Sequence, residues 1–278
     1  MKITVLCNNS VKLFSSATAE HGFSCFIEHD SGNYLFDTGS GAGVVKNASI
    51  LRKDLNSIEA IILSHGHHDH AGGLEKVLKT IDSKKVKIYA HPDIFMKKYA
   101  EHDGRTIYAG IPFHKAYLKS LGAEFTLKNS FFEIGQNFYM TGTVPLKNSY
   151  ETIGDDLFAV DRDGELLKPD PLKDDNSLVF NTDKGLIIVL GCAHRGIVNI
   201  MDYVSDKFDG ENIYGIIGGT HLAPASDMRF AKTIEALKNY NVQFLATSHC
   251  TGLEKAGLLA GEFKDKFFYA SVGDEFTF

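Results

Sequence analysis

A histidine-rich stretch that directly follows an apolar run constrains this chain more than any other feature. Residues 61–63 read Ile-Ile-Leu, Ser64 ends the apolar run, and residues 65–70 read His-Gly-His-His-Asp-His. Short aliphatic runs of this kind favour a buried strand, and histidine and aspartate are common metal ligands. Ala-Gly-Gly at residues 71–73 allows the backbone to fold tightly afterwards. The stretch therefore predicts a metal-binding loop at the end of a buried strand.

The spacing within this loop separates two sets of possible ligands. His65 and His67 are two residues apart, so both rings can face one ion when the loop is extended. Asp69 and His70 follow on a predicted turn, where they can bind a second ion nearby. A solvated polyhistidine loop is the alternative. The position of the motif between a buried strand and Gly-Gly argues against that alternative.

Buried strands are predicted to end in histidine at four places in the chain. The residues between each apolar run and its histidine are small, which leaves room for several imidazoles at the carboxyl edge of the sheets. We therefore expect these rings to converge on one cleft. The strand-terminal histidines are His65, His194, His221 and His249.

Motifs spread along the chain resemble the metallo-β-lactamase superfamily. H-x-H-x-D-H followed by Gly-Gly is similar to the metal motif of that family. The sequences Glu-His-Gly-Phe-Ser from residue 20, Phe-Asp-Thr-Gly from residue 36, Gly-Cys-Ala-His from residue 191 and His-Cys-Thr-Gly from residue 249 resemble one branch, the 7,8-dihydropterin-6-methyl-4-(β-D-ribofuranosyl)aminobenzene-5'-phosphate synthase-like proteins. The resemblance implies an α/β fold of four αββα layers, with two mixed β-sheets face to face and helices outside. It implies a single domain over residues 1–278.

The resemblance also implies a dinuclear site for divalent transition-metal ions. Zinc is the metal favoured, with manganese or iron as alternatives. By the superfamily pattern, the first ion would be bound by His65, His67 and His194, and the second by Asp69, His70 and His249.

Three further residues are candidates for roles behind or beside the metals. By resemblance Asp37 would support the ligands from behind, although a turn-forming aspartate is the alternative. Cys192 stands where hydrolases of the superfamily commonly carry a metal-bridging aspartate. A thiolate can bind zinc or iron, and a small packed thiol is the alternative. His91 follows a strand and is another possible ligand.

His221 is predicted to face the substrate rather than the metals. Gly218 and Gly219 allow the backbone to bend sharply after Ile217. An imidazole with an ordinary pKa of about 6.5 can pass a proton to a leaving group. A structural role for this histidine is the alternative.

The sequence therefore favours an enzyme. Two metal ions would lower the pKa of a shared water, and Asp69 would orient the resulting bridging hydroxide. The expected reaction is hydrolysis of a small anionic substrate, a phosphate ester or a cyclic ester or amide. The alternative implied by the branch is a dihydropterin-type transferase or synthase that joins a pterin diphosphate to an arylamine. A non-enzymatic binding protein is a further alternative.

Residues 92–120 are predicted to be a lid-like insertion. Aromatic and basic residues are mixed there without a regular period, which would suit an anionic ligand that contains a ring. A pair of surface helices with a solvated basic face is the alternative. A hairpin turn is predicted at residues 161–164.

Composition limits the kinds of partner and the cellular compartment that we expect for this protein. A net charge of −6 and a pI of about 6.0 argue against a general binder of nucleic acid or acidic membranes. The chain contains no apolar run near 18 residues and no signal-like N-terminus. We expect a soluble, cytoplasmic protein with a small-molecule substrate, and its oligomeric state is left open. Free thiols in a reducing compartment are predicted for Cys7, Cys25, Cys192 and Cys250.

Overall fold

The computed structural model describes residues 1–81, 85–154, 156–160 and 163–278. The chain divides into two compact units. Unit 1 comprises Met1–Asn129, Ile153–Asp174 and Ser271–Thr277, and unit 2 comprises Ser130–Thr152, Asp175–Ala270 and Phe278. The single domain over residues 1–278 stays a prediction.

The described residues contain strands and helices along the whole chain. The strands are β1 Lys2–Cys7, β2 Ser24–His29, β3 Gly32–Phe36, β4 Ile58–Ile62, β5 Val86–Ala90, β6 Lys97–His102, β7 Arg105–Tyr108, β8 Ala123–Leu127, β9 Phe132–Gly135, β10 Phe138–Met140, β11 Leu157–Val160, β12 Leu166–Leu167, β13 Ser177–Thr182, β14 Gly185–Leu190, β15 Ile213–Gly219, β16 Phe244–Ser248, β17 Phe267–Tyr269 and β18 Glu275–Thr277. The α-helices are α1 Val44–Ile50, α2 His68–Ala71, α3 Leu74–Thr80, α4 Lys115–Ser120, α5 Ile197–Lys207, α6 Asp227–Asn239 and α7 Leu253–Phe263.

Unit 1 is built on a seven-stranded mixed sheet in the order β18-β1-β2-β3-β4-β5-β8. The pairings from β18 to β3 are antiparallel, and those from β3 to β8 are parallel. Strand β4 is buried at four of its five positions, as expected for a parallel strand covered on both faces. Its Ile61 lies in the same apolar core as Leu74 and Val77 of helix α3. This packing positions the loop that follows β4.

The segment predicted as a lid contributes to a second, smaller sheet of unit 1. Its order is β12-β11-β6-β7, with antiparallel pairing throughout. The alternative of a helical pair is wrong for residues 97–108, because β6 and β7 form a hairpin there. Helix α4 follows this hairpin in the chain. The lid role stays a prediction, and residues 161–162 of the predicted hairpin turn lie outside the described residues.

Unit 2 is built on another seven-stranded mixed sheet, in the order β17-β16-β15-β14-β13-β10-β9. Strands β14, β15, β16 and β17 are parallel, so their carboxyl ends lie at one edge. Helix α5 buries Ile197, Ile200, Met201 and Val204, which have the spacing of one helical face. Its first turn is capped by the Glu151 carboxylate, which accepts hydrogen bonds from the N–H groups of the second and third residues at 2.8 and 2.7 Å.

Two details differ from the sequence prediction. Strand β15 continues through Gly219 instead of ending at Ile217, because the backbone at Gly218, with φ of +114°, still pairs with Leu190. The turn predicted for Asp69 and His70 is the short helix α2. Within the described ranges, no helix has the length and apolar character to span a membrane.

Candidate metal centre

A buried carboxylate organises the start of the metal loop in unit 1. Asp37 directly follows β3, and Ser64 lies two residues after β4, the parallel neighbour of β3. The fully buried Asp37 carboxylate accepts hydrogen bonds from the backbone N–H and the hydroxyl of Ser64, both at 2.7 Å, and from Nδ1 of His70 at 2.7 Å. Because Nδ1 of His70 carries the proton, the lone pair of this ring is on Nε2. A carboxylate behind a histidine in this way orients the ring for metal binding.

His65 and His67 bring two ring nitrogens together. Nε2 of His65 and Nδ1 of His67 are 2.9 Å apart, and Nδ1 of His65 contacts the Ser64 hydroxyl at 2.9 Å. Zinc–imidazole bonds of about 2.0–2.1 Å place two nitrogens of a tetrahedral ion about 3.3 Å apart. The separation in unit 1 is close to that value. The donor atoms and their spacing therefore fit the transition-metal ion that the sequence predicts.

The protonation state of His67 also suits a ligand. Burial lowers the pKa of His67 to about 3, and the positive charge of Lys98 acts in the same direction. The imidazole is therefore neutral at neutral pH, and only the neutral form coordinates a metal.

Asp69 lies beside a histidine that the sequence interpretation did not single out. The Asp69 carboxylate is 3.2 Å from Nε2 of His21 and 3.8 Å from Nε2 of His70. Gly22 has a φ of +136°, and a Cβ at this position would lie 2.2 Å from the Asp69 carbonyl oxygen. The close approach of the two loops thus requires glycine. The Glu-His-Gly motif from residue 20 was the available signal for His21.

The other side of the metal loop is held by the small sheet and its flanking segments. The backbone N–H of His68 donates to the Ala109 carbonyl at 2.8 Å, and His67 forms a β-bridge with Gly110. The backbone N–H of Gly66 donates to Oδ2 of Asp174 at 2.8 Å. The segment predicted as a lid is therefore in direct contact with the predicted ligands.

Asp174 belongs to a buried ion-pair network that sequence reasoning missed. Lys98 is 1% exposed, and its Nζ lies 2.8 Å from Asp170 and 2.9 Å from Asp174. Burial opposes the charge on Lys98, but the two carboxylates outweigh it and raise the lysine pKa. Burial likewise opposes ionisation of Asp174, but Lys98 and the Gly66 N–H hold the pKa of this carboxyl below its ordinary value. Lys98 lies 72 and 76 residues away from the two aspartates in sequence, so no spacing signal connects the lysine to them.

His91 follows β5 and caps a short 3-10 helix at residues 92–95. Its Nδ1 accepts a hydrogen bond from the backbone N–H of Asp93 at 3.0 Å. Burial is the main cause that lowers its pKa. A metal-ligand role for His91 stays a prediction.

In unit 2, the predicted histidines follow three adjacent parallel strands. The rings of His194 and His221 lie with their centroids 4.2 Å apart. His221 and His249 have φ values of 48° and 51°, and Ala193 has 56°. Left-handed backbone is uncommon outside glycine, and it clusters at functional sites where the surrounding structure enforces it. Unit 2 thus brings His194 and His221 together, while the assignment of six ligands to two ions stays a prediction.

Two cysteines accompany these histidines. All four cysteines of the chain are free thiols, and Cys192 is 2% exposed. The Cys250 sulfur accepts a hydrogen bond from the His221 N–H at 3.2 Å and donates one to the Cys192 carbonyl at 3.5 Å. Burial opposes ionisation of Cys250, but the contacts with Cys192, His249 and His221 outweigh it and lower the pKa of this thiol. Cys250 was not predicted as a site residue.

Comparison with known proteins places these features in a family context. The model of the metallo-β-lactamase superfamily matches residues 17–249. The 7,8-dihydropterin-6-methyl-4-(β-D-ribofuranosyl)-aminobenzene-5'-phosphate synthase of Methanocaldococcus jannaschii is 35% identical over 280 residues, which cover 96% of this chain and 93% of that protein.

Solved structures show the same fold. Tm1679, described as a metal-dependent hydrolase of the β-lactamase superfamily, is 32% identical with a TM-score of 0.84, covering 100% of this chain and 99% of its own. The metallo-β-lactamase fold protein YhfI from Bacillus subtilis is 15% identical with a TM-score of 0.60, and the match covers 99% of this chain and 98% of YhfI. The predicted α/β fold class is confirmed.

Proposed function

The chain belongs to the metallo-β-lactamase superfamily, and from that premise we propose that it is an enzyme, a dinuclear metal-dependent hydrolase. The substrate class is a small anionic molecule, a phosphate ester or a cyclic ester or amide. Zinc is the preferred metal, because imidazole and carboxylate ligands suit it. The proposed ligands are His65, His67 and His194 for one ion and Asp69, His70 and His249 for the other.

The observation that carries this proposal is the buried pair of Asp37 and His70. An aspartate without solvent contact, 2.7 Å from a histidine nitrogen, holds the ring in one tautomer and one orientation. Any buried imidazole N–H needs a hydrogen-bond acceptor, and a buried carboxylate in this position is the acceptor that typically stands behind a metal-binding histidine. The convergence of His65 and His67 at 2.9 Å supports the same interpretation.

The residues of the metal loop would divide the work of hydrolysis. Two bound metal ions supply a water of lowered pKa and stabilise charge on a leaving oxygen. Asp69 is 7% exposed, so its carboxylate can hold and orient a water with little competition from solvent. Gly66, fixed by Asp174, keeps His65 and His67 in place.

The synthase reaction is the second candidate function. The similarity to the M. jannaschii synthase favours it, because that similarity extends over nearly the whole of both chains. In the small sheet of unit 1, Tyr99 stacks on Phe158 at 5.2 Å and meets Tyr108 edge-on at 5.5 Å. Such a surface would suit a pterin ring, and it would suit other ring-containing substrates equally.

The metal content is the first expected result. Protein purified without chelators should contain about two or more transition-metal ions per chain, because two sets of three ligands bind two ions. Elemental analysis of the purified protein measures this directly. A metal content near zero, even after incubation with zinc, manganese and iron, would contradict the metalloenzyme proposal.

Product analysis separates the two candidate functions. A hydrolase should release acid from model phosphodiesters or cyclic esters, with a dependence on added metal. A synthase should instead form an arylamine adduct from a pterin diphosphate and release pyrophosphate. Adduct formation together with no turnover of any model ester would replace hydrolysis with the synthase reaction. Both assays use the same metal-loaded protein, so a failure to bind metal is not mistaken for the wrong substrate.

A further inference from the structure

Unit 2 contains a cluster of metal-binding atoms beyond the six proposed ligands. One ligand atom each from Cys192, His221 and Cys250 lies within 4.8 Å of the other two. The three residues follow β14, β15 and β16, which pair in parallel so that their ends adjoin. Two sulfurs and one imidazole thus meet at a single edge of the sheet.

The separations are compatible with a metal site. Zinc–sulfur bonds of about 2.3 Å and zinc–nitrogen bonds of about 2.0 Å place tetrahedral ligand atoms about 3.5–3.8 Å apart. These values are within the 4.8 Å that encloses the cluster. The three ligand atoms are therefore close enough for one ion to bind them all after side-chain adjustment.

The backbone leaves room for the Cys250 sulfur. A Cβ at Gly219 would lie 2.7 Å from the Cys250 sulfur and 2.4 Å from the Gly191 carbonyl oxygen, so only glycine fits. His221 has a left-handed φ of 48° that directs its N–H to the same sulfur. Nδ1 of His221 is buried and has no hydrogen-bond partner among the described residues. A buried nitrogen of this kind is costly unless a proton donor or a cation binds it.

We propose that Cys192, His221 and Cys250 form a third metal site, specific for a borderline or soft cation such as Zn²⁺. Two thiolates and one imidazole select such ions over Mg²⁺ or Ca²⁺, and three protein ligands leave the fourth position open. Cys192 then binds this ion instead of bridging the other two. The proposal does not depend on which reaction the protein catalyses.

Cobalt titration tests the site. Reduced protein freed of metal by chelation is titrated with Co²⁺, and the thiolate-to-cobalt charge-transfer absorbance is followed. The band should saturate at about one equivalent of thiolate-bound ion, within a total of about three ions per chain. Cys250→Ser should abolish the band and lower the total by one ion. Cys25→Ser, which changes a buried thiol of unit 1, is the matched control and should keep both.

Two outcomes would overturn the proposal. The first is the absence of the band in the wild-type protein, and the second is its persistence in Cys250→Ser, which would leave Cys192 as a ligand of the dinuclear centre alone. X-ray absorption of the zinc-loaded wild type adds a necessary condition without a variant, because the site requires sulfur neighbours at about 2.3 Å from zinc. Zinc ions surrounded by nitrogen and oxygen atoms alone, without sulfur, would contradict the site.

His221→Ala separates the ligand role from the predicted proton-donor role. The ligand role predicts a loss of one ion and of most of the cobalt band. Unchanged metal content with a roughly 10²-fold lower turnover would instead make His221 a proton donor and overturn its place in the site. Loss of one dinuclear ion in His67→Ala, with the cobalt band retained, would show that the two metal proposals are independent of each other.

Discussion

Replacement of His67 by alanine is expected to remove one metal ion per chain and to abolish turnover. Nδ1 of His67 is 2.9 Å from Nε2 of His65, so the substitution deletes one of two ring nitrogens that converge in unit 1. A metal held by three side chains loses most of its affinity when one is removed. Asp69→Ala should have the same effect on turnover, because it removes a ligand and the carboxylate that orients water. Elemental analysis and activity assays of the variants measure both effects.

The neighbouring His68→Ala variant is the matched control. His68 is exposed and adjoins the same loop, and its backbone N–H, which is retained in the variant, makes the main contact with Ala109. Metal content and turnover should therefore stay near wild type. If Asp69→Ala kept near-normal turnover, or if His68→Ala lost as much metal as His67→Ala, the proposed ligand set would be wrong.

Replacement of Lys98 by methionine should produce the largest change in stability. Lys98 lies between two carboxylates that are themselves buried, those of Asp170 and Asp174. Removal of the cation leaves both carboxylates unpaired in the interior, a change that typically costs about 3–5 kcal/mol in the free energy of unfolding. Urea unfolding of the wild type and the variant measures the difference. Weaker metal binding is also expected, because Asp174 holds the backbone of Gly66.

Lys168→Met is the control for this experiment. Lys168 pairs with Glu101 at 2.9 Å, but both side chains are more than 40% exposed. Solvent screening limits such a pair to about 0–1 kcal/mol. Similar losses of stability in the two variants would show that the buried network contributes no more than a surface pair.

The effect of Lys98→Met on stability should depend on pH in a defined way. The pKa of Asp174 is lowered in the folded protein, so its contribution is present above the unfolded value of about 3.9 and is lost as pH falls through the folded value. The pKa of Lys98 is raised, so its contribution is present below about 10.4 and is lost as pH rises through the folded value. The stability difference between wild type and Lys98→Met should be greatest between these limits and shrink on either side.

Local sequence patterns account for some of the regular elements. The alternation of apolar and polar residues in strand β5 and the apolar spacing in helix α5 are each complete within a single element, so the local sequence is enough to indicate both. The hairpin at residues 97–108 was harder to predict. Its strands carry exposed aromatic and basic residues, so the alternation that marks a half-buried strand is missing.

The sequence by itself determined the metal loop. Its four proposed ligands fall within six consecutive residues after a buried strand, so covalent connectivity alone keeps them close together. Only the tertiary structure decided which side chains support this loop and which atoms gather beside it. Lys98 and Asp174 are 76 residues apart, and Cys192 and Cys250 are 58 apart. Such contacts arise because the parallel strands and the small sheet place distant chain segments side by side, and this arrangement follows from packing of the whole core rather than from any local pattern.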